Sequence, residues 1–598
     1  MKIVICTTPI RPEPTTYPPF GSMALIQSLR AAEYDPYFYD IDALRPSFEE
    51  VVQFFRVQAP DVVGISSVVS TAYAYTKELA LAIKEVSPQT KILVGGNLAA
   101  SAEILLRFCK IDACGVGEGE RVIVNLTRYW ESNKTTNDSS QLRQIKGIAY
   151  LDDTGEVVFT GYEPAILAND FLSPDWTILE KYSKMANFIT DPLSQREYTQ
   201  DPRTYEPHRR GKMAATALTA KGCVARCTFC HRWDRGYRHW PVDRIIENIE
   251  YLIERYNVGF INFGDENFGS DRKKTEELIE KIKPLDVLYQ VAGVRCRSVD
   301  PDVLARLKDS GCVGLFYGME SGSPNILKVM EKNTELQQNL NAALWTHQAG
   351  LYTIYQLVLA MPGENPQTVT ETGEFIKKVT EFLPEPPHVR LSVNYIQALP
   401  GTPVYEYARD TGLVGKTLEE EEKYLIKISD IDAVDDSKFL NFTEYDYLTV
   451  QSWRQKIVFD AQMNWYNKRS WKPASKAPAA AMLNGEVRAP EGYKEYHRGG
   501  YFNLGHVVIS HPLFYRFMSS PVALPLRYMY PMAYVLIKDL KNLPKRQFLG
   551  YLGEHLSKKV AKPPRFRDFR SLRKVMEDRT APPSTTSEQS MLPLREGR

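Results

Sequence analysis

Three cysteines, Cys223, Cys227 and Cys230, fall together in the stretch Lys221-Gly222-Cys223-Val224-Ala225-Arg226-Cys227-Thr228-Phe229-Cys230. Spacings of four and three residues let three thiolates converge on one metal centre. Three thiolates can satisfy three irons of a four-iron four-sulfur cluster and leave the fourth iron open. A structural zinc wants a fourth protein ligand, and His231 could be offered for it. Three ordinary buried thiols are the remaining reading. The strand Met213–Ala220 leads into the stretch, which therefore reads as a βα loop at the mouth of an α/β domain.

The elements that must position such a loop are set by the rest of the chain. A length of 598 residues exceeds what one core can grow to, so several domains are expected. The formal charge of +1 and 43% hydrophobic residues are those of an ordinary soluble globular protein and give no reason to expect nucleic acid. The other cysteines, Cys6, Cys109, Cys114, Cys296 and Cys312, are sparse and sit in apolar runs, which fits a reducing cytoplasm rather than a disulfide framework. The N-terminus runs straight into a strand without signal-peptide organisation, and Pro521–Ile537 is too interrupted to span a membrane.

Residues 1–150 alternate strand and helix: Lys2–Thr7, Tyr37–Tyr39, Val62–Ser66 and Lys91–Val94 are strands with helical spacing between them. That alternation predicts a doubly wound, Rossmann-like parallel sheet. Ligands of such sheets sit beyond the strand carboxyl ends, which nominates the loops Thr7–Gly21, Ser66–Thr71, Gly95–Ala99 and Gly115–Glu120. GxGxxG is missing after the first strand, so this is not a dinucleotide fingerprint. Residues 151–212 form a connector, with Glu197–Arg210 expected to cross the surface. Residues 213–420 repeat about six βα units, two short of a full eight-unit barrel.

With these segments in place, the CxxxCxxC stretch, with Phe229 before its last cysteine, resembles the signature of the radical S-adenosylmethionine (SAM) superfamily. The resemblance implies a partial (β/α)6 barrel in which the open iron chelates SAM and the reduced cluster cleaves it. It extends to Gly264-Asp265-Glu266-Asn267-Phe268, to Arg297, to Gly318-Met319-Glu320-Ser321-Gly322-Ser323, and to the turns Met361-Pro362-Gly363-Glu364 and Leu399-Pro400-Gly401-Thr402-Pro403. By that likeness Cys223, Cys227 and Cys230 hold the cluster, while Phe229, Asp265, Arg297, Glu320 and Ser321 contact SAM. Arg297 is the expected partner of its carboxylate. Asp265 and Glu266 could instead cap the helix that follows.

Residues 60–125 look like the cobalamin-binding domain that precedes many radical SAM barrels. Ser66, Ser67 and Thr71, then Gly95 and Gly96, then Gly117, Glu118 and Gly119 match its loops and are expected to contact cobalamin. Asn97 stands where the family usually has histidine, and residues 1–150 contain no histidine, so no histidine is expected from them at the lower face of cobalt.

Residues 421–575 read as a mainly helical C-terminal region and 576–598 as a disordered tail. The helix Tyr447–Arg469 carries Trp453, Phe459, Met463, Trp465 and Tyr466, more consistent with core than with substrate contact, and Thr443 is its candidate cap. From Lys538 to Lys574 there are twelve Lys/Arg and three acids. The expected reading is a solvated helical face, with acidic lipid, nucleic acid or a partner protein as the others. His506 and His511 are read as structural.

The resemblance implies three cofactors, a 4Fe-4S cluster, SAM and cobalamin, with an external electron donor and a sizeable, partly apolar small-molecule substrate. The expected reaction is radical methyl transfer to an unactivated carbon. Ring formation or rearrangement with the same cofactors is the alternative, and nucleic-acid modification ranks below both.

Overall fold

A computed structural model describes residues 1–133, 139–231, 236–429, 439–469 and 512–557, together with Val508. His506, His511 and the tail 576–598 lie outside the described residues.

The N-terminal sheet has the order β2-β1-β3-β4-β5-β6-β7. Its parallel part is β1 (Ile3–Thr7), β2 (Tyr37–Tyr39), β3 (Val62–Ser66), β4 (Lys91–Gly95) and β5 (Ala113–Gly115). Every residue of β1 is buried, as a parallel strand covered on both faces requires. The order reverses at β1, so the loops after β1 and β3 flank the crevice where doubly wound sheets take their ligands. The hairpin β6 (Ile148–Leu151) and β7 (Val157–Phe159), which straddles the expected start of the connector at residue 151, pairs antiparallel with β5 through β6 and extends this sheet.

The second sheet is six-stranded and wholly parallel. It contains β8 (Met213–Ala217), β11 (Val258–Phe263), β12 (Leu288–Val294), β13 (Cys312–Glu320), β14 (Tyr352–Leu359) and β15 (Leu391–Tyr395) in that spatial order. The first and last strands do not pair, so this is the partial barrel expected. Between β8 and β11 a short antiparallel ribbon, β9 (Ala220–Gly222) and β10 (Tyr237–His239), brackets the cysteine loop.

The helix Tyr447–Lys468 lies along the open side, against β15 and the helix Pro366–Thr380. Its aromatics Trp453, Phe459, Trp465 and Tyr466 are all buried, so they are core and close the barrel at once. Its cap is Asp446, whose carboxylate accepts from the Thr449 N–H at 3.0 Å, not Thr443. Thr443 is held one turn away by Asn441.

The connector runs partly over the surface, with Gln200, Pro202, Tyr205, Pro207, His208 and Arg210 exposed, and partly into the fold. Tyr198 enters the amino-terminal end of the barrel and packs edge-on against Phe260 at 4.8 Å, with Ala214, Leu288 and Val313 around it. Its polar neighbours are buried with partners: Asp201 pairs with Arg203 at 2.9 Å and Lys308 at 2.6 Å. Burial alone would raise the Asp201 carboxyl, but these two cations pull it down to about 2.

The carboxyl ends of the two parallel sheets face each other. Tyr17, in the loop after β1, donates its hydroxyl to the Gly264 carbonyl beyond β11 at 3.0 Å. Glu120 and Lys221 pair at 2.6 Å, and Glu118 and Arg238 at 2.5 Å, across the same junction. Gly401, beyond β15, is packed so closely that an added Cβ would lie 3.0 Å from Ala100 and 3.1 Å from His231. A further tie comes from the helix Leu418–Ile428, where Glu422 pairs with Lys77 and accepts from the Tyr73 hydroxyl at 2.6 Å.

Candidate active site between two sheet ends

The N-terminal side of the junction is built mainly from backbone. Ser67 N–H donates to the Gly95 carbonyl at 3.0 Å, and Leu98 N–H donates to the Ser67 carbonyl at 3.3 Å, stitching the loops after β3 and β4 together. Gly96 adopts φ +84°, and a Cβ there would sit 2.4 Å from the Ser67 carbonyl oxygen, so only glycine fits. Beside it a Cβ on Gly95 would meet nothing within 4 Å. The combination is a tight floor with open space above it, which is what a large flat ligand needs.

The predicted contacts divide on this side. Gly95 and Gly96 form the floor, Ser66 and Thr71 bound the loop beside it, and Gly117, at φ +100°, opens the neighbouring turn against Tyr162. Ser67 is fully buried with its hydroxyl 2.8 Å from that of Thr76, so it shapes the cradle and does not face it. Glu118 accepts from the Ile166 N–H at 2.7 Å as well as from Arg238. Burial opposes its charge, yet Arg238 and that N–H hold it below the usual carboxylate range. The Glu118 carboxylate is thereby a fastener between the sheets. Gly119 leads into the helix Glu120–Ser132, with Leu25 packed over it. Sequence reading nominated the loop Ser66–Thr71 without singling out Ser70, and stopped short of Ser101; both hydroxyls are buried without a hydrogen-bond partner among the described residues.

The barrel side is built from side chains. Thr228 anchors the cysteine loop, its N–H donating to the Met330 carbonyl at 2.9 Å and its hydroxyl to the Val329 carbonyl at 3.0 Å. Its own carbonyl accepts from the Val404 N–H at 3.1 Å. Phe229 is half-buried against the core, while Cys227 is buried, Cys223 half-buried and Cys230 exposed. The other five cysteines are buried, and burial pushes the thiols of Cys109, Cys296 and Cys312 up to about 12. Those five keep their protons, whereas the loop offers thiols at a mouth open to a ligand.

No three His, Cys, Asp or Glu side chains among the described residues close on a single ion. Cysteines that each hold a separate corner of a cluster have no need to. Three thiols on one short loop are, by their chemistry, the donor set a cluster with one open iron takes.

Asp265 is buried and accepts from the Thr219 N–H at 2.7 Å, the Thr219 hydroxyl at 2.9 Å and the Ala220 N–H at 2.8 Å. Burial raises its carboxyl to about 6. It fixes the entry to the cysteine loop, while the helix that follows is capped by Asp271. Asp265 thus acts through the loop, and Glu266 beside it is exposed.

Glu320 stands at φ +61°, a left-handed conformation that turns the chain sharply at the end of β13. Its carboxylate pairs with Lys332 at 2.7 Å, both side chains nearly buried. Burial works against the Lys332 charge, but the Glu320 carboxylate, and Cys227 when it is a thiolate, raise its affinity for the proton. Sequence reading missed Lys332, since it carries no motif and meets Glu320 only through the fold. Ser321 is 3.1 Å from the Thr372 hydroxyl and accepts from the Ser323 N–H at 3.1 Å, locking that turn. Arg297 is exposed and lines a cleft of about 1020 Å³ with Val224, Arg226 and Lys328. The buried arginine of the segment is Arg295, which donates to the Lys332 carbonyl at 2.6 Å.

Two family models match the chain, the Radical SAM superfamily over residues 218–376 and the B12 binding domain over residues 13–127. The anaerobic magnesium-protoporphyrin IX monomethyl ester cyclase of Cereibacter sphaeroides is 29% identical over 369 residues, 60% of this chain and 56% of that protein. This chain therefore spans little more than half the length of that relative. An uncharacterized methyltransferase of Pyrococcus horikoshii is 26% identical over 426 residues, 68% of this chain and 83% of its own length. The solved structure of the cobalamin-dependent S-adenosylmethionine radical enzyme OxsB shares the fold at a TM-score of 0.58 and 14% identity, over 96% of this chain and 84% of that one. The two matched models, over the two sheets they cover, give the chain a B12-binding domain ahead of a radical SAM barrel, the pair whose cofactors are a 4Fe-4S cluster, SAM and cobalamin.

Proposed function

We propose that this enzyme performs radical chemistry on an unactivated carbon of a small molecule, and that its reaction is ring formation or rearrangement. The observation that carries the shared chemistry is the apposition of the two sheet ends, which sets the Gly95–Gly96 floor opposite the cysteine loop. The ring-forming choice is supported by the likeness to the cyclase. When bound, the reduced cluster with SAM supplies a carbon-centred radical, and cobalamin supplies a cobalt centre able to move electrons or a methyl group.

The chain's own residues do the holding. Cys223, Cys227 and Cys230 present thiolates to the cluster, and Asp265 and Thr228 fix the loop that carries them. Lys332 places a buried positive charge beside Cys227 and holds the Glu320 carboxylate, which would contact SAM. Phe229 and the Ser321 turn wall that site, and Arg297 offers a cation at the adjoining cleft. On the other side Ser66, Thr71, Gly95, Gly96 and Gly117 bound the cobalamin cradle, and Glu118 with Arg238 fastens it to the barrel. An external electron donor is required.

Methyl transfer is the second reading, supported by the likeness to the methyltransferase of Pyrococcus horikoshii, 83% of which this chain covers. Anaerobic turnover of a host metabolite extract with methyl-labelled SAM separates the two. Ring formation or rearrangement predicts deoxyadenosine and an altered, unlabelled metabolite without matching S-adenosylhomocysteine. Label in a new product, with the two nucleosides in near-equal amounts, would replace it by methyl transfer.

A further inference from the structure

We propose that the C-terminal helices form a docking face for an anionic lipid bilayer, centred on the helix Leu524–Asn542. Along that helix Leu526, Met529, Ile537 and Leu540 are 43%, 61%, 56% and 60% exposed, and Ala533 between them is exposed too. Intervals of three, four, four and three residues put all five on one stripe, about 21 Å long at the helical rise. The opposite side is the one packed on the protein. Pro531, Val535 and Asp539 are buried, and the Gln451 amide donates to Asp539. A helix at the surface of a globular protein turns its polar side outward. This one turns an apolar stripe outward.

The neighbouring helices continue the pattern. On Pro512–Ser519, Leu513 and Phe517 are exposed four residues apart, and Val522 follows. On Lys545–Ser557, Leu549 and Leu556 are exposed seven residues apart. Nine of the 22 large apolar side chains exposed among the described residues lie between Leu513 and Leu556, a concentration that scattered surface residues do not give.

Charge selects the occupant. Arg516, Lys541, Lys545 and Arg546 are exposed around the stripe. The two acids of the segment are withdrawn, Asp539 into the core and Glu554 to half-burial. An apolar surface rimmed by cations without exposed carboxylates matches the headgroup and acyl boundary of an anionic bilayer. The sequence that follows, residues 558–574, brings eight more Lys/Arg and one acid. Their charge adds to the attraction for anionic lipid. No described helix is long and apolar enough to cross a membrane, so the association is peripheral.

The test is co-sedimentation of the full, anaerobically loaded chain with phosphatidylcholine vesicles, with and without about a third phosphatidylglycerol. The expected result is binding to anionic vesicles at least about tenfold above neutral ones and weakened by salt. Leu526→Ser/Met529→Ser/Ile537→Ser/Leu540→Ser should abolish it, and so, independently, should Lys541→Glu/Lys545→Glu/Arg546→Glu. Iron content, cobalamin content and melting temperature control for folding in both variants. Absent binding, or equal binding to neutral vesicles, would overturn the proposal. So would hydrogen-exchange protection of residues 526–540 in lipid-free protein, which would mean the chain covers its own stripe. A dimer in light scattering that the serine variant dissolves would assign the face to a second copy instead.

Discussion

The two sides of the junction solve the same problem with different materials. The N-terminal loops build their floor from backbone: Gly96 presses on the Ser67 carbonyl, Gly95 faces open space, and the Ser67 hydroxyl is turned inward. The barrel mouth builds with charge: Asp265 under the loop, Glu320 on Lys332, and three cysteines offered to metal. Shape suits a rigid macrocycle that is already assembled when it arrives. Charge suits a cluster and a zwitterion, whose binding is electrostatic. The comparison therefore predicts that lesions on the two sides separate, each removing one cofactor and sparing the other.

The largest separation is expected from Cys223→Ala/Cys227→Ala/Cys230→Ala. Iron and sulfide should fall to background while cobalamin content stays near one per chain. A full cluster in this variant, measured by iron analysis and absorbance, would break the assignment.

The mirror lesion is Gly96→Val. Both the positive φ and the 2.4 Å approach to the Ser67 carbonyl forbid its side chain, so the floor must open. Cobalamin should be lost and iron retained, read by the absorbance of anaerobically purified protein. Equal loss of both would mean that the two sides are not separable.

Lys332→Met comes next. It leaves the Glu320 carboxylate buried beside the cluster loop with its ammonium partner gone. Breaking a buried pair costs about 3–5 kcal/mol, so the barrel should melt earlier and bind SAM poorly. Lys332→Met/Glu320→Gln should recover most of the stability without recovering SAM binding. Calorimetry and equilibrium dialysis read the two quantities separately.

A smaller, pH-dependent effect belongs to Glu364, which is fully enclosed beyond β14 and accepts from the Ala360 N–H. Burial raises its carboxyl from the usual range to about 8. A carboxyl raised in the folded state favours its protonated form there. That stabilisation is complete below about pH 4.5 and is lost as pH rises through about 8. Glu364→Gln keeps the acceptor and removes the titration. The variant should match wild type in melting temperature at pH 5 and exceed it at pH 8.5; parallel curves would contradict the burial argument.

Legibility in the sequence follows the same division. Backbone features announce themselves locally: the run ending at Gly95-Gly96 and the strands from Ile3 onward could be read from apolar spacing and glycine alone. The cysteine loop was equally plain, because its spacing is its chemistry. What stayed hidden depends on residues distant in sequence. Lys332 meets Glu320 only after β13 and the turn beyond it are folded. Arg295 and Arg297 are two residues apart, and only the fold buries the first and exposes the second. The connector reads as surface because it is polar. Tyr198 plugs the barrel because Asp201, Arg203 and Lys308 satisfy one another there. Thr443 and Asp446 are both competent caps, and packing chose the second.

The central claim is that the two sheet ends bring cobalamin and the cluster into one site. It is tested most directly by electron paramagnetic resonance of cobalt(II) cobalamin in the anaerobically loaded enzyme, with the cluster oxidised and then reduced. The account predicts that the cobalt signal relaxes markedly faster once the cluster is paramagnetic, and that this enhancement vanishes in the triple cysteine variant. Identical cobalt relaxation in both cluster states would place the two centres apart and contradict it.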